Sequence, residues 1–193
     1  MKKYYIPFSI ALILLTIIVF NGYIFTDRKI TAVYFTSDNS SLINFNDIKK
    51  NEIVVVHSLN DLISKVESLD YRIGILLDKS ILDNDNTINN INKWVTTQKG
   101  YPILAIGYGN PTYIFFKRLD FAIGVKNPTI SKEKIEKYKN EVGFSFTYIC
   151  NNGIIHGKGY KEKISIPRIL NVVNEALKGE EYVKQMIERR TNE

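Results

Sequence analysis

Beyond Lys29 the chain alternates short apolar runs with stretches whose apolar residues recur every three or four positions. The short runs predict strands over residues 30–35, 53–57, 72–77, 103–106 and 121–125. The middle ones contain VVV, IGILL and ILAI, continuous apolar blocks of the kind found in parallel strands covered on both faces. Helix signals fall between them. Ser58 with Asp61 makes a capping-box-like start, and Leu62, Ile63, Val66 and Leu69 then share one face. Ile88, Ile91 and Val95 mark a second helix, which Gly100 can close in a left-handed conformation. Asn110 before Pro111 joins an N-cap to a proline at the first helical position. Ser131 opens a further helix carrying Ile135 and Tyr138. The polar crossover 40–50 carries only a weak helix signal, and the acidic, Asn-rich segment 83–90 reads as a solvated turn.

The pattern changes near Val142. Two stretches, 144–150 and 154–159, flank Asn151-Asn152-Gly153. Asn-Gly is the strongest short hairpin signal because both positions tolerate positive φ, so an antiparallel hairpin is expected at the sheet edge. Ser165 and Pro167 then open a last helix with Ile169, Leu170, Val173 and Leu177 on one face, which Gly179 is expected to interrupt. The β-α-β-α order argues for right-handed crossovers and a doubly wound sheet.

Before all of this lies an uncharged run, residues 4–26, that follows Lys2 and Lys3. As a helix, residues 6–25 would span about 30 Å, the thickness of a bilayer's hydrocarbon core. Tyr4, Tyr5 and Tyr23 sit where interfacial aromatics are favoured, and Val19-Phe20-Asn21-Gly22-Tyr23 lacks the small-residue pattern of a signal-peptide cleavage site. An uncleaved membrane anchor is expected, with a cleaved signal as the alternative. Lys2 and Lys3 favour a cytoplasmic amino terminus and an extracytoplasmic domain, while Arg28 and Lys29 weigh against it.

Composition narrows the chemistry. The chain has 193 residues, of which 45% are hydrophobic, enough for one anchor and one domain with a real core. One cysteine, Cys150, excludes an intramolecular disulfide or a cysteine-built metal site, and two histidines, His57 and His156, exclude a three-histidine centre. The net charge of +6 is spread without a basic stripe or stacking platform, so nucleic acid is not expected as a partner. No nucleotide-loop, zinc-protease or nucleophile-elbow motif is present, and no cofactor is expected.

One stretch is similar to a known family. EIVVVHSLNDLISKVESLDYRIGILLD, from Glu52 to Asp78, resembles the second to third strands of a response-regulator receiver domain. PILAIGYG, from Pro102, looks like its fourth strand, and FAIGVKNP, ending at Pro128, like its fifth. The resemblance implies a flavodoxin-like sheet. It places Asp78 where the family accepts a phosphoryl group and makes Lys126 the family's lysine. It also puts Tyr34-Phe35 where the magnesium-binding acidic pair would stand, and Gly107 at the hydroxyl position, so the implied domain is a degenerate receiver.

The expected architecture is therefore α/β. An N-terminal transmembrane helix precedes a doubly wound, mostly parallel sheet of about five strands, with an added C-terminal antiparallel hairpin and a terminal helix. The boundaries are an anchor at 1–27, the flavodoxin-like domain at 28–180 and a charged helical tail at 181–193. In such sheets ligands bind outside the carboxyl ends of the strands. Ser37, Asp38, His57, Asp78, Gly107 and Lys126 would line that rim. IGYGNPT adds Gly109, Asn110 and Thr112, with backbone N–H groups at a helix start that suit an anion. Each also has a structural reading, since glycine and an Asn-Pro cap suit any strand-to-helix turn. The lysines 158, 161 and 163 suit an anionic surface or a protected edge strand. Tyr182, Val183, Met186 and Ile187 suit a partner-binding helix or packing on the domain. The expected function is a membrane-tethered binding module, with the membrane as one partner and a protein as another. The alternatives are an envelope enzyme working through Asp38, His57 or Asp78, and a cytoplasmic receiver-like signalling module.

Overall fold

The computed structural model describes residues 30–37, 42–119, 130–149 and 155–191, the last stretch by its backbone alone from residue 180. Four strands are parallel neighbours: β1 (Ala32–Phe35), β2 (Ile53–Val56), β3 (Gly74–Asp78) and β4 (Pro102–Ile106). β5 (Phe144–Ile149) and β6 (Ile155–Tyr160) close a six-stranded sheet in the order β2-β1-β3-β4-β5-β6. β5 runs antiparallel to β4, and β6 antiparallel to β5. The expected strand at 121–125 lies outside the described residues, and the place beside β4 is held by β5.

β1 to β4 are apolar without interruption because the sheet is covered on both faces. Successive side chains point to opposite faces, so each strand feeds two cores. Val33, Phe35, Ile75, Leu77, Ile103 and Ala105 belong to one. α2 (Leu59–Glu67) and α4 (Asp85–Val95) cover that face through Leu62 and Val66 and through Ile88, Ile91 and Val95. Ala32, Tyr34, Leu76, Leu104, Ile106 and Phe144 belong to the other core, under α1 (Phe45–Lys50) and the long α7 (Ile166–Thr191). Each fully buried Leu or Ile contributes about 1.5–3 kcal/mol of transfer free energy.

Caps set the helix starts. Ser58 and Asn84 bond the first-turn N–H groups of α2 and α4, and Ser131 does so for α6 (Lys132–Lys139). The Asn84 cap overturns the solvated turn expected at 83–90: most of that segment is the first part of α4. Likewise α1 forms at 45–50, behind an Asn44 cap. α3 (Lys79–Leu82) is a single turn after β3, and α5 (Pro111–Tyr113) continues as a π-helical turn, Ile114–Arg118. The expected break at Gly179 does not occur: α7 runs through it, with nothing within 4 Å of an added Cβ there. The tail from 181 is thus continuous with the last helix.

β6 ends at Tyr160, opposite Phe144, which is opposite Ile106 at the carboxyl end of β4. The Arg168 guanidinium stands 5.1 Å from the Tyr160 ring centre, at that same end. Val173 reaches Gly74, the first residue of β3, where a Cβ would fall 2.6 Å from its Cγ2. α7 therefore descends from the carboxyl end of the parallel strands to their amino end. Among the described residues no helix is long and apolar enough to cross a membrane, and the run 4–26 lies outside them.

Candidate functional site: the rim at the carboxyl ends of the strands

Asp78 ends β3 and is 1% exposed. Its Oδ1 accepts the Ser80 N–H at 2.8 Å, capping α3. Its Oδ2 accepts the Tyr34 hydroxyl and, at 3.2 Å, the Leu42 N–H. Strand alternation explains the first contact: Tyr34 and Asp78 lie on neighbouring strands and point to the same face. The Ser80 hydroxyl in turn accepts the Ser37 N–H at 3.3 Å. One carboxyl group thus ties the exit of β1 to β3, and its buried oxygens gain the hydrogen-bond partners they need.

The turn after β4 forms a second network. Gly107 takes φ +102°, which a residue with a side chain adopts only under strain. Its N–H donates to the Gly143 carbonyl at 2.9 Å, and the Gly109 N–H donates to the Glu141 carbonyl at 2.6 Å. Asn110 caps α5 by accepting the Thr112 N–H at 3.0 Å, and its amide donates to Glu141 Oε2 at 2.8 Å. Lys161 reaches Glu141 Oε1 at 3.0 Å. The Asn110 hydrogen bond, with Lys161 behind it, holds the Glu141 carboxyl below its usual range. The N–H groups expected to hold an anion at IGYGNPT thus donate within the chain at Gly107, Gly109 and Thr112.

Between the two networks stands Tyr108, buried, with its hydroxyl donating to Asp83 and the Lys79 ammonium 4.9 Å from its ring centre. Burial, reinforced by Asp83, pushes this phenol far above its ordinary pKa, so it stays protonated as a donor. The Ser145 hydroxyl donates to the Tyr108 carbonyl.

Of the remaining rim candidates, His57 is exposed, with Nδ1 3.0 Å from the Thr36 carbonyl oxygen. Asp38 and Lys126 lie outside the described residues. Among the described residues no group of three His, Cys, Asp or Glu side chains is placed to hold a metal ion. The structure brings Asp78, Gly107, Gly109, Asn110 and Thr112 to the expected end of the sheet, as parts of two internal networks. Leu42 and Glu141 complete those networks and were not singled out from the sequence, while Tyr34 was named there without a role for its hydroxyl. Strand alternation puts Tyr34 on the Asp78 face once the β1–β3 register is known, but no local pattern links Glu141 to Asn110.

Beside the exposed His57 and Lys161, the rim turns two large apolar side chains outward. Leu42 and Val142 are the exposed large hydrophobic residues among the described ones, at 47% and 71%. Both flank the β4–α5 turn: a Cβ on Gly107 would meet the Leu42 side chain, and one on Gly109 the Val142 carbonyl. The rim thus sets two exposed apolar side chains beside Asp78, Gly107, Gly109 and Asn110 groups that are engaged within the fold. Comparison with protein-family models, curated proteins and solved structures finds no match to this chain.

Proposed function

We propose that the chain is a membrane-tethered, extracytoplasmic binding module that meets a protein partner at the carboxyl-end rim. One observation carries this reading. The rim's Asp78, Asn110, Gly107 and Gly109 groups are engaged by the chain itself, while the exposed Leu42 and Val142 lie on the same rim. Exposed apolar residues on a rigid polar-satisfied frame favour surface recognition over acid–base or nucleophilic chemistry, which needs a group left ready to react. The apolar run 4–26 supports the tether. The tether also suits the geometry, because residue 30 enters β1 at the amino end of the strands and leaves the rim facing away.

The tether and its side are tested together in cells. Asn90→Cys, on an exposed position of α4, is combined with Cys150→Ser and labelled with a membrane-impermeant maleimide. The expected result is labelling of intact cells and retention in the membrane pellet after alkaline carbonate. Labelling only after lysis would put the domain in the cytoplasm and support the receiver-like alternative. Release by carbonate would remove the anchor.

A further inference from the structure

The amino end of the domain carries a mismatch of two lengths. α7 reaches the amino end of β3 at Val173, and among the described side chains Leu177 is the last of α7 packed against the core. The helix then continues to Thr191. That overhang is about 14 residues, or roughly 21 Å at 1.5 Å per residue. The chain enters β1 at this same end. Between the apolar run, which closes at Thr26, and Ile30 stand only Asp27, Arg28 and Lys29. Fully extended, that connection reaches at most about 14 Å. A helix longer than the tether beside it cannot stay clear of whatever the tether is fixed to.

The overhang's sequence suits such a contact. Tyr182, Val183, Met186 and Ile187 recur at helical spacing, with Lys178, Lys184, Arg189 and Arg190 around them. Interfacial helices combine an apolar stripe with basic residues in this manner, and long basic side chains snorkel to the headgroups. Glu180, Glu181 and Glu188 temper the charge, so the apolar stripe must carry much of the binding. Arg72 and Lys99 are exposed at the same end of the sheet, alongside Asp70. We infer that the overhang of α7 lies in the lipid interface beside the anchor, as a second membrane contact that fixes the domain's orientation. The inference rests on the anchored reading of residues 4–26.

The test uses the full chain in vesicles of phosphatidylcholine with roughly one-third phosphatidylglycerol. A single environment-sensitive fluorophore is placed at Met186→Cys in a Cys150→Ser background, with Glu67→Cys, exposed on α2, as the reference. At position 186 the emission should move to shorter wavelength, and doxyl-labelled lipid should quench it roughly two-fold or more, as for a side chain in the acyl boundary. The position 67 probe should remain in water. A water-like probe at 186 in protein that floats with the vesicles and resists alkaline extraction would overturn the inference and leave the anchor standing. A probe at 186 that is shielded but not quenched by lipid, and cross-links between copies, would overturn it in favour of helix pairing. Failure to float would sink the anchored reading itself.

Discussion

Asp78→Ala lowers the stability of the domain by about 3–5 kcal/mol, as expected when one buried carboxyl that caps a helix and accepts two further hydrogen bonds is removed. The donors are the Tyr34 hydroxyl and the Leu42 N–H, and the cap is that on Ser80. In a domain of this size the loss corresponds to a fall in Tm of roughly 10 °C. Urea denaturation of residues 28–193 followed by circular dichroism checks it. Tyr34→Phe removes one of the three donors and should cost about 1–2 kcal/mol. Combining the two should cost less than their sum, since the first change already removes the interaction the second deletes. Asp78→Asn discriminates between roles: an aspartate kept for phosphoryl acceptance would tolerate this near-isosteric change with little loss of stability. Here the new NH₂ group must face one of the N–H or O–H donors, so Asn should also destabilise. A wild-type unfolding midpoint for both variants would refute the structural role.

Gly143→Ala is the second change with a large effect. Gly143 sits at φ +144°, before β5, and its N-terminal neighbours hold the β4–α5 turn. A Cβ there would collide with the Tyr160 carbonyl oxygen, a backbone atom of the paired strand β6 with no side-chain freedom to move aside. Conformational strain and overpacking each cost about 1–3 kcal/mol, so a total of about 2–6 kcal/mol is expected. The control lies in the same chain. Gly179 is within α7 with open space around it, and Gly179→Ala should stabilise the helix by about 0.5–1 kcal/mol. Opposite signs at the two sites, read by thermal denaturation, are the expected outcome. Equal and small effects would mean that β5 and β6 do not meet at Gly143 as described.

The fold was legible wherever the determinants are local or continuous. β3 and β4 declared themselves because burial on both faces demands unbroken apolar runs, and Ser58, Asn110 and Ser131 declared helix starts because a cap bonds only its next few residues. The antiparallel pairing of β5 and β6 was legible from the Asn-Gly signal between them. What failed were weak local signals decided by context. α1 has six residues with Phe45 and Ile48 as its apolar positions, so its pattern is nearly empty. One glycine costs a helix about 1 kcal/mol, too little to break a 26-residue helix at position 179. The rim was legible as a place and not as a set of contacts. Asp78 could be placed at a strand end, but its partners Tyr34 and Leu42 come from 44 and 36 residues away. Asn110 likewise meets Glu141 across 31 residues. Only the strand register brings such groups together, and register is a tertiary property.

The central claim is that the amino ends of the strands face the membrane and the rim faces away. The most direct measurement places one spin-quenchable fluorophore at Lys99→Cys, exposed before β4, and another at Val142→Cys, on the rim, each in the Cys150→Ser full chain in vesicles. Quenching by a nitroxide carried on the lipid headgroup should be strong at position 99 and absent at position 142. Strong quenching at 142 with none at 99, or equal quenching at both, would contradict the account.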